Sequence, residues 1–393
     1  MAPKNKPPKR NVKEQKKNME NGTNKYKAFK IALLVLNLLV VFYSPFVRGL
    51  YFEAEQLPAE IFVLISFALF WVMKYLTKDK RFISTPMEYA SLALMLIYLI
   101  SVITSVSCRL AISEWLKYCM FFCIFFMITD LSKDIKTRIA VLWTVIGTAM
   151  GLSIIGLDSS SGGRLVDMLN NLFKSLHFPV EFFGLYVNGR IHSTIQYPNA
   201  LAVYLLVSVL ISLGLSMISE KLWQRIISGA CSTVLSVTLL LTLSRGVLIL
   251  VPFVLLMYII LIPRGYKLRT AMLGLNSAIS AAVSLLVGYA VKSLDSHLWI
   301  RVLIGVLVYI ALTILFEFLV SKVVDVSKLK LKIKAVFLLV PLAVVMVVLA
   351  ILINTTEPLV LKSKSSDSKS GYSLQKSIQL EPNKEYRLEV DAS

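Results

Sequence analysis

From residue 29 to residue 353 the chain is cut into apolar runs of membrane-spanning length, each ended by charged or turn-forming residues. A helix rises about 1.5 Å per residue, so a run of about 20 residues crosses the hydrocarbon core of a bilayer. Spans are expected at 29–47, 60–76, 86–107, 115–129, 138–157, 199–218, 225–243, 246–263, 270–291, 298–320 and 335–353, the fourth being the shortest. With 56% hydrophobic residues and only 17% charged ones, the chain has too little polar surface to fold as a soluble globule. The expected fold is an all-α polytopic membrane protein with about 11 transmembrane helices.

The bases between the runs set an orientation. With the N-terminus in the cytoplasm, alternate connections carry Lys78, Lys80 and Arg81; Lys133, Lys136 and Arg138; Lys221 and Arg225; Arg264, Lys267 and Arg269; and the stretch from Lys322 to Lys334. All of these inner connections are basic, which is the positive-inside pattern. The opposite connections are poorer in Lys and Arg, and the first of them carries Glu53, Glu55 and Glu60 with Arg48. The net charge of +19 therefore reflects topology, and no nucleic-acid partner is expected. Residues 1–28 read as a basic, disordered cytoplasmic tail. No small-residue cleavage site follows the first run, so that run is expected to stay as an anchor. The four cysteines, Cys108, Cys119, Cys123 and Cys231, lie in or beside apolar runs without Cys-x-x-Cys spacing, and the histidines are not clustered. They read as buried small hydrophobes, with no metal site and no cofactor expected.

Domain 29–353 contains one long outer connection, 158–198, where most others have about ten residues; long connections are usually functional or disordered. Within it Leu165, Met168, Leu169, Leu172, Phe173 and Leu176 recur at helical spacing opposite Asp167, Asn170, Asn171 and Lys174. That pattern predicts a helix lying on the membrane surface or packed on other outer loops. Residues 354–393 read as an extracytoplasmic linker and the start of a β-rich segment, because Tyr372, Leu374, Ile378, Leu380, Tyr386, Leu388 and Val390 alternate around Pro382 and Asn383. Two strands cannot bury a face alone, so the chain is expected to continue beyond Ser393.

Charges at membrane depth are the default candidates for function. Glu317, Lys74 and Glu88 fall at span ends and read as interfacial charges that can snorkel. Arg190 and Arg245 differ, because they lie on the outer side, where topology gives no reason for them. Arg190 opens the segment Arg190-Ile191-His192-Ser193-Thr194-Ile195-Gln196-Tyr197-Pro198-Asn199-Ala200-Leu201-Ala202, and Arg245 sits in the turn Thr242-Leu243-Ser244-Arg245-Gly246 between two spans. Their planar, permanently charged forks suit bidentate contact with phosphate oxygens, though an arginine at such a boundary also suits lipid headgroups or loop carbonyls. On an extended segment Arg190 and His192 face the same way. Pro198 and Asn199 read as the bend and cap that start the sixth span.

These two runs, in this order, resemble the bacterial O-antigen ligase and polymerase family, over the membrane region from about residue 29 to 353. The resemblance implies a metal-independent glycosyltransferase of the bacterial cytoplasmic membrane. It would take a glycan from a polyprenyl diphosphate carrier on the outer face and pass it to a glycan or lipid acceptor. By that resemblance Arg190 and Arg245 engage the donor diphosphate, with His192, Gln196, Asn199, Ser244 and Arg48 as further substrate-binding candidates. Tyr197-Pro198-Asn199 stands where the family more usually has Asn-Pro-Asn, and neither His177 nor His297 lies in a motif like that of the family's acceptor-activating loop. Two other functions stay open on the residues alone: a flippase or transporter of lipid-linked sugars, and an assembly protein that binds polysaccharide through its C-terminal segment.

Overall fold

In a computed structural model of the protein, the residues described are 26–79, 81–177, 181–290 and 298–322. Their helices, in chain order, are α1 (Lys27–Tyr43), α2 (Glu53–Leu76), α3 (Pro86–Ile103), α4 (Cys108–Leu131), α5 (Ile135–Ser160), α6 (Arg164–Ser175), α7 (Pro198–Ile218), α8 (Leu222–Leu241), α9 (Arg245–Leu261), α10 (Lys267–Ala290) and α11 (Leu298–Lys322). A two-stranded antiparallel hairpin, β1 (Tyr186–Val187) and β2 (Arg190–Ile191), lies between α6 and α7. Among the described residues nine helices are long and apolar enough to cross a membrane, and α9, with 17 residues, is apolar but shorter. The first ten expected spans each fall on one helix. The eleventh, 335–353, lies outside the described residues, as do residues 1–25 of the expected tail and the β-rich segment 354–393.

Helix ends depart from the apolar runs where polar side chains satisfy one another. α2 starts at Glu53 rather than at residue 60, with Glu53 and Glu55 in its first turn, where the partial positive charge of a helix N-terminus favours carboxylates. α4 starts at Cys108 rather than 115, and its Arg109 lies 3.3 Å from Glu53. Gln56 donates to Glu60 and, at 3.3 Å, to the Ser113 carbonyl. Glu53, Glu55 and Glu60 are therefore helix residues and not part of a connection.

Two of the expected interfacial charges are also corrected. Lys74 does not reach outward: it is 1% exposed, lies 3.4 Å from Asp130 of α4, and has Phe70, Trp71 and Phe126 ring centroids 5.2–5.7 Å from its ammonium. Pairing with a carboxylate and ring faces replaces the water it gives up. Glu88 is buried in a capping box, accepting from the Ser84 and Thr85 amides while the Thr85 hydroxyl accepts from the Glu88 amide. Glu317 is not a lone charge either, for Arg225 and Arg269 reach it at 2.9 and 2.8 Å and tie α8, α10 and α11 together.

The remaining packing follows a rule of apolar surroundings: small and hydroxylated residues let helices approach closely. Ser208, Ser212 and Ser216 repeat at four-residue spacing on α7, all fully buried. Ser212 donates to the Ser228 carbonyl and Ser216 to that of Arg225, at 3.1 Å, while Ser232 and Ser277 meet at 3.0 Å. A Cβ on Gly229 would fall 1.7 Å from the Tyr309 hydroxyl, so the Tyr309 ring of α11 rests directly on the backbone of α8 there.

Candidate functional site

The segment that bears Arg190 is fixed on every side. Asn188 and Gly189, at φ +52° and +73°, close the two-residue turn of the hairpin, in which Val187 pairs with Arg190 and Tyr186 with Ile191. Asn-Gly is the usual composition of such a turn, because both central residues need positive φ. Ile191 is fully buried against Gly156 of α5, where a Cβ would come within 2.5 Å of the isoleucine Cγ2. Beyond it the Ser193 hydroxyl donates to the Leu152 carbonyl at 2.7 Å and that of Thr194 to the Pro45 carbonyl at 2.8 Å. The amides of His192 and Ser193 both donate to the Leu185 carbonyl.

The preceding connection is braced in the same manner. α6 forms where a helix was expected. Its N-cap, Gly163, offers no side chain, and Asp158 accepts from the Val166 amide at 3.0 Å in its place. Asn170 then pins the chain after α6, its amide bonding both the N–H and the carbonyl of Phe182, at 2.8 and 3.0 Å.

The two arginine-bearing runs meet. Arg190 Nε donates to the carbonyl of Thr242 at 2.9 Å. Asn199 Oδ1 accepts from Ser244 Oγ at 2.8 Å and from Arg190 Nη2 at 3.4 Å. The expected cap is thereby corrected: Tyr197 is the N-cap of α7, Pro198 its first residue, and the Asn199 side chain joins the turn after α8. Ser244 is the N-cap of α9 and Arg245, its first residue, is exposed. The start of α7, the start of α9 and the Arg190 guanidinium therefore lie together, with Arg245 on the first residue of α9. Amides and arginines are all donors, so the place suits an anion.

His192 is also changed from expectation. β2 ends at Ile191 and His192 adopts helical dihedrals, so it does not alternate with Arg190 along a strand. It remains close enough for burial and the Arg190 charge to hold its pKa below the ordinary value of 6.5, against the opposing effect of a hydrogen bond with the Gln196 backbone. The imidazole is thus neutral at neutral pH and can accept a proton.

Arg48 and Gln196 belong elsewhere. Arg48 pairs with Glu55 and lies over the rings of Phe52 and Phe183, 4.5 and 5.7 Å from their centroids. Gln196 donates to the Phe183 carbonyl at 2.9 Å. Both line a cleft of about 1070 Å³ between α1 and α2, to which Arg190, Asn199, Ser244 and Arg245 do not contribute. Strained backbone marks both places: Arg48, Leu50, Ser193, Gln196 and Leu243 all have positive φ without being glycine. Such conformations cost of order 1–3 kcal/mol each and persist where surrounding structure imposes them.

The fold defines a largely helical chain with several membrane-spanning helices, the class of a multi-pass membrane protein. No protein-family model, curated protein or solved structure matches it.

Proposed function

We propose that the chain is a membrane glycosyltransferase of the O-antigen ligase and polymerase kind. It would transfer a glycan from a polyprenyl diphosphate carrier to a sugar acceptor on the outer face of the bacterial cytoplasmic membrane. The observation that carries this reading is the meeting of Arg190 and the α9 N-terminus around Asn199 and Ser244. In this mechanism an acceptor hydroxyl attacks the anomeric carbon of the donor. The bond from that carbon to the diphosphate oxygen breaks, and the leaving diphosphate gains negative charge. Arg190, Arg245 and the amides at the start of α7 and α9 stabilise that charge, a preorganised donor set that needs no reorganisation as the bond breaks. His192, neutral beside Arg190, takes the proton of the attacking hydroxyl. The carrier's chain lies in the membrane, and the end of the bundle carrying residues 158–198 faces outward.

The test is transfer of a polyprenyl-diphosphate-linked glycan in purified membranes. Arg190→Ala and Arg245→Ala should each lower the rate by about 100-fold or more. Arg190→Lys should fail as well, since a lysine lacks the fork that bonds Thr242 and Asn199 and still meets a phosphate. Full transfer by both alanine variants overturns the mechanism. Movement of the donor across the bilayer without any product would assign the chain to transport instead.

A further inference from the structure

The cleft between α1 and α2 has a polarity opposite to that of the arginine site. Its long wall is apolar and aromatic, with Leu39, Phe42, Tyr43 and Phe46 on one side and Pro58 and Phe62 on the other. It adjoins a wholly apolar groove of about 450 Å³ that shares Phe42, Tyr43, Phe46 and Phe182 with it and continues under Leu169 and Phe173 of α6. The polar groups are gathered at Arg48, Glu55, Glu181 and Gln196. Two carboxylates outnumber one guanidinium there, and that guanidinium is already committed to Glu55 and to two ring faces. The Gln196 NH₂ donates to Phe183, which leaves its Oε1 as an acceptor. Pro58 has no N–H to give the Ala54 carbonyl one turn earlier, and both residues line the cleft. The polar end is thus rich in acceptors, and Arg48, Thr194 and Gln196 each already donate within the protein. A diphosphate, which only accepts, is disfavoured there; a group that presents several hydroxyls is matched.

We propose that this cleft binds an uncharged amphiphile with a hydroxyl-rich head. Its hydrocarbon chain lies along the aromatic wall, and its hydroxyls donate to Glu55, Glu181, Gln196 Oε1 and the Ala54 carbonyl. The volume exceeds the range of about 300–1,000 Å³ typical of sites for small ligands, which leaves room for a chain as well as a head. The segment 190–196 borders both places, with Arg190 at one and Thr194 and Gln196 at the other. The further assignment of this cleft as the site of a glycolipid acceptor rests on the glycosyltransferase reading; the binding itself does not.

The experiment is photolabelling of the full chain in lipid nanodiscs with a dodecyl maltoside carrying a diazirine on its alkyl chain. Label is expected on peptides spanning 39–62 and 181–196. Excess dodecyl maltoside should suppress it about 10-fold, whereas dodecyl phosphate at the same concentration should suppress it less than about 2-fold. Ala59→Phe, which fills the cleft, should lower labelling by a similar factor. Label elsewhere, equal suppression by the phosphate, or undiminished label in a folded Ala59→Phe variant overturns the proposal. If Ala59→Phe does not fold, the wild-type competition decides alone. Intact labelling together with transfer that ignores both arginines would refute the enzyme reading and leave the amphiphile site standing.

Discussion

Arg190 Nε donates to the carbonyl of Thr242 at 2.9 Å, a contact between residues 52 positions apart that closes the hairpin segment onto the turn joining α8 to α9. That carbonyl belongs to the C-cap of α8, which is followed by Leu243 at φ +50° and by Ser244, the N-cap of α9. One arginine thus serves a helix C-terminus, where a cation is favoured, while its Nη2 reaches Asn199 in the first turn of α7 at 3.4 Å. Removing it affects both the position of the turn and the charge offered to a ligand.

Asn199 and Ser244 give a way to separate these effects, since their bond, at 2.8 Å, joins the two segments without a charge. Ser244→Ala should cost about 1 kcal/mol of stability, and a double-mutant cycle with Asn199→Ala should return a coupling of about 1 kcal/mol. Thermal unfolding of the four proteins in detergent measures it. In the transfer assay Ser244→Ala should act far more weakly than Arg190→Ala, because the arginines remain.

Gly156 sets how closely the hairpin approaches α5. Gly156→Ala places a Cβ 2.5 Å from Ile191 Cγ2, and a contact that short forces the isoleucine, its strand or α5 to shift. A loss of about 1–3 kcal/mol is expected, as for other overpacked interiors. Ile191→Leu removes the offending branch and should recover much of that loss in the double variant. Melting temperatures of the two single variants and the pair provide the check.

Asp158 caps α6 from a distance of eight residues. Asp158→Ala leaves the Val166 amide without its acceptor at 3.0 Å and should destabilise the connection by about 1 kcal/mol. Because α6 also holds Phe182 through Asn170, the loss should spread beyond the helix. Hydrogen exchange should speed up over 164–175 and 181–185, with α7 and α8 unchanged.

The spans were legible because the bilayer fixes their length: nothing else in the sequence imposes runs like 199–218, and α7 occupies that interval almost residue for residue. Helix ends were less so. Glu53 and Arg109 each look like the end of an apolar run, and their mutual contact, between positions 56 apart, is not visible in either run alone. The Asn188-Gly189 turn carried a readable signal that outweighs the extended reading of Arg190 to His192, since a two-residue hairpin fixes where the strand ends. Asn199 was not readable in the same way. Beside Pro198 at a helix start it has the composition of a cap, and its partner Ser244 becomes evident only once α8 has returned the chain to the same end of the bundle. In sequence Arg48 and Gln196 look like Arg190, polar residues in connections between spans; three-dimensional structure sorts them into a separate cleft.

His192 supplies the pH dependence. Its folded pKa is held below the ordinary value by burial first and by Arg190 second, so the folded state binds fewer protons there than the unfolded chain does. Stability from this group is fully present above about 6.5, the unfolded value, and is lost as the pH falls through that value toward the lowered folded one. Wild-type protein should therefore melt at lower temperature at a pH of about 5.5 than at about 7.5, and His192→Gln, which cannot titrate, should lose less over the same interval. Arg190→Gln removes one of the two depressing influences and should shrink the acid loss without abolishing it, because burial remains. In the transfer assay the same neutral imidazole predicts a rate that holds as the pH is lowered to about 6.5 and falls only below it, with the fall absent from the residual activity of His192→Gln. An acid loss of stability identical in wild type and His192→Gln would show that the imidazole is not the titrating group.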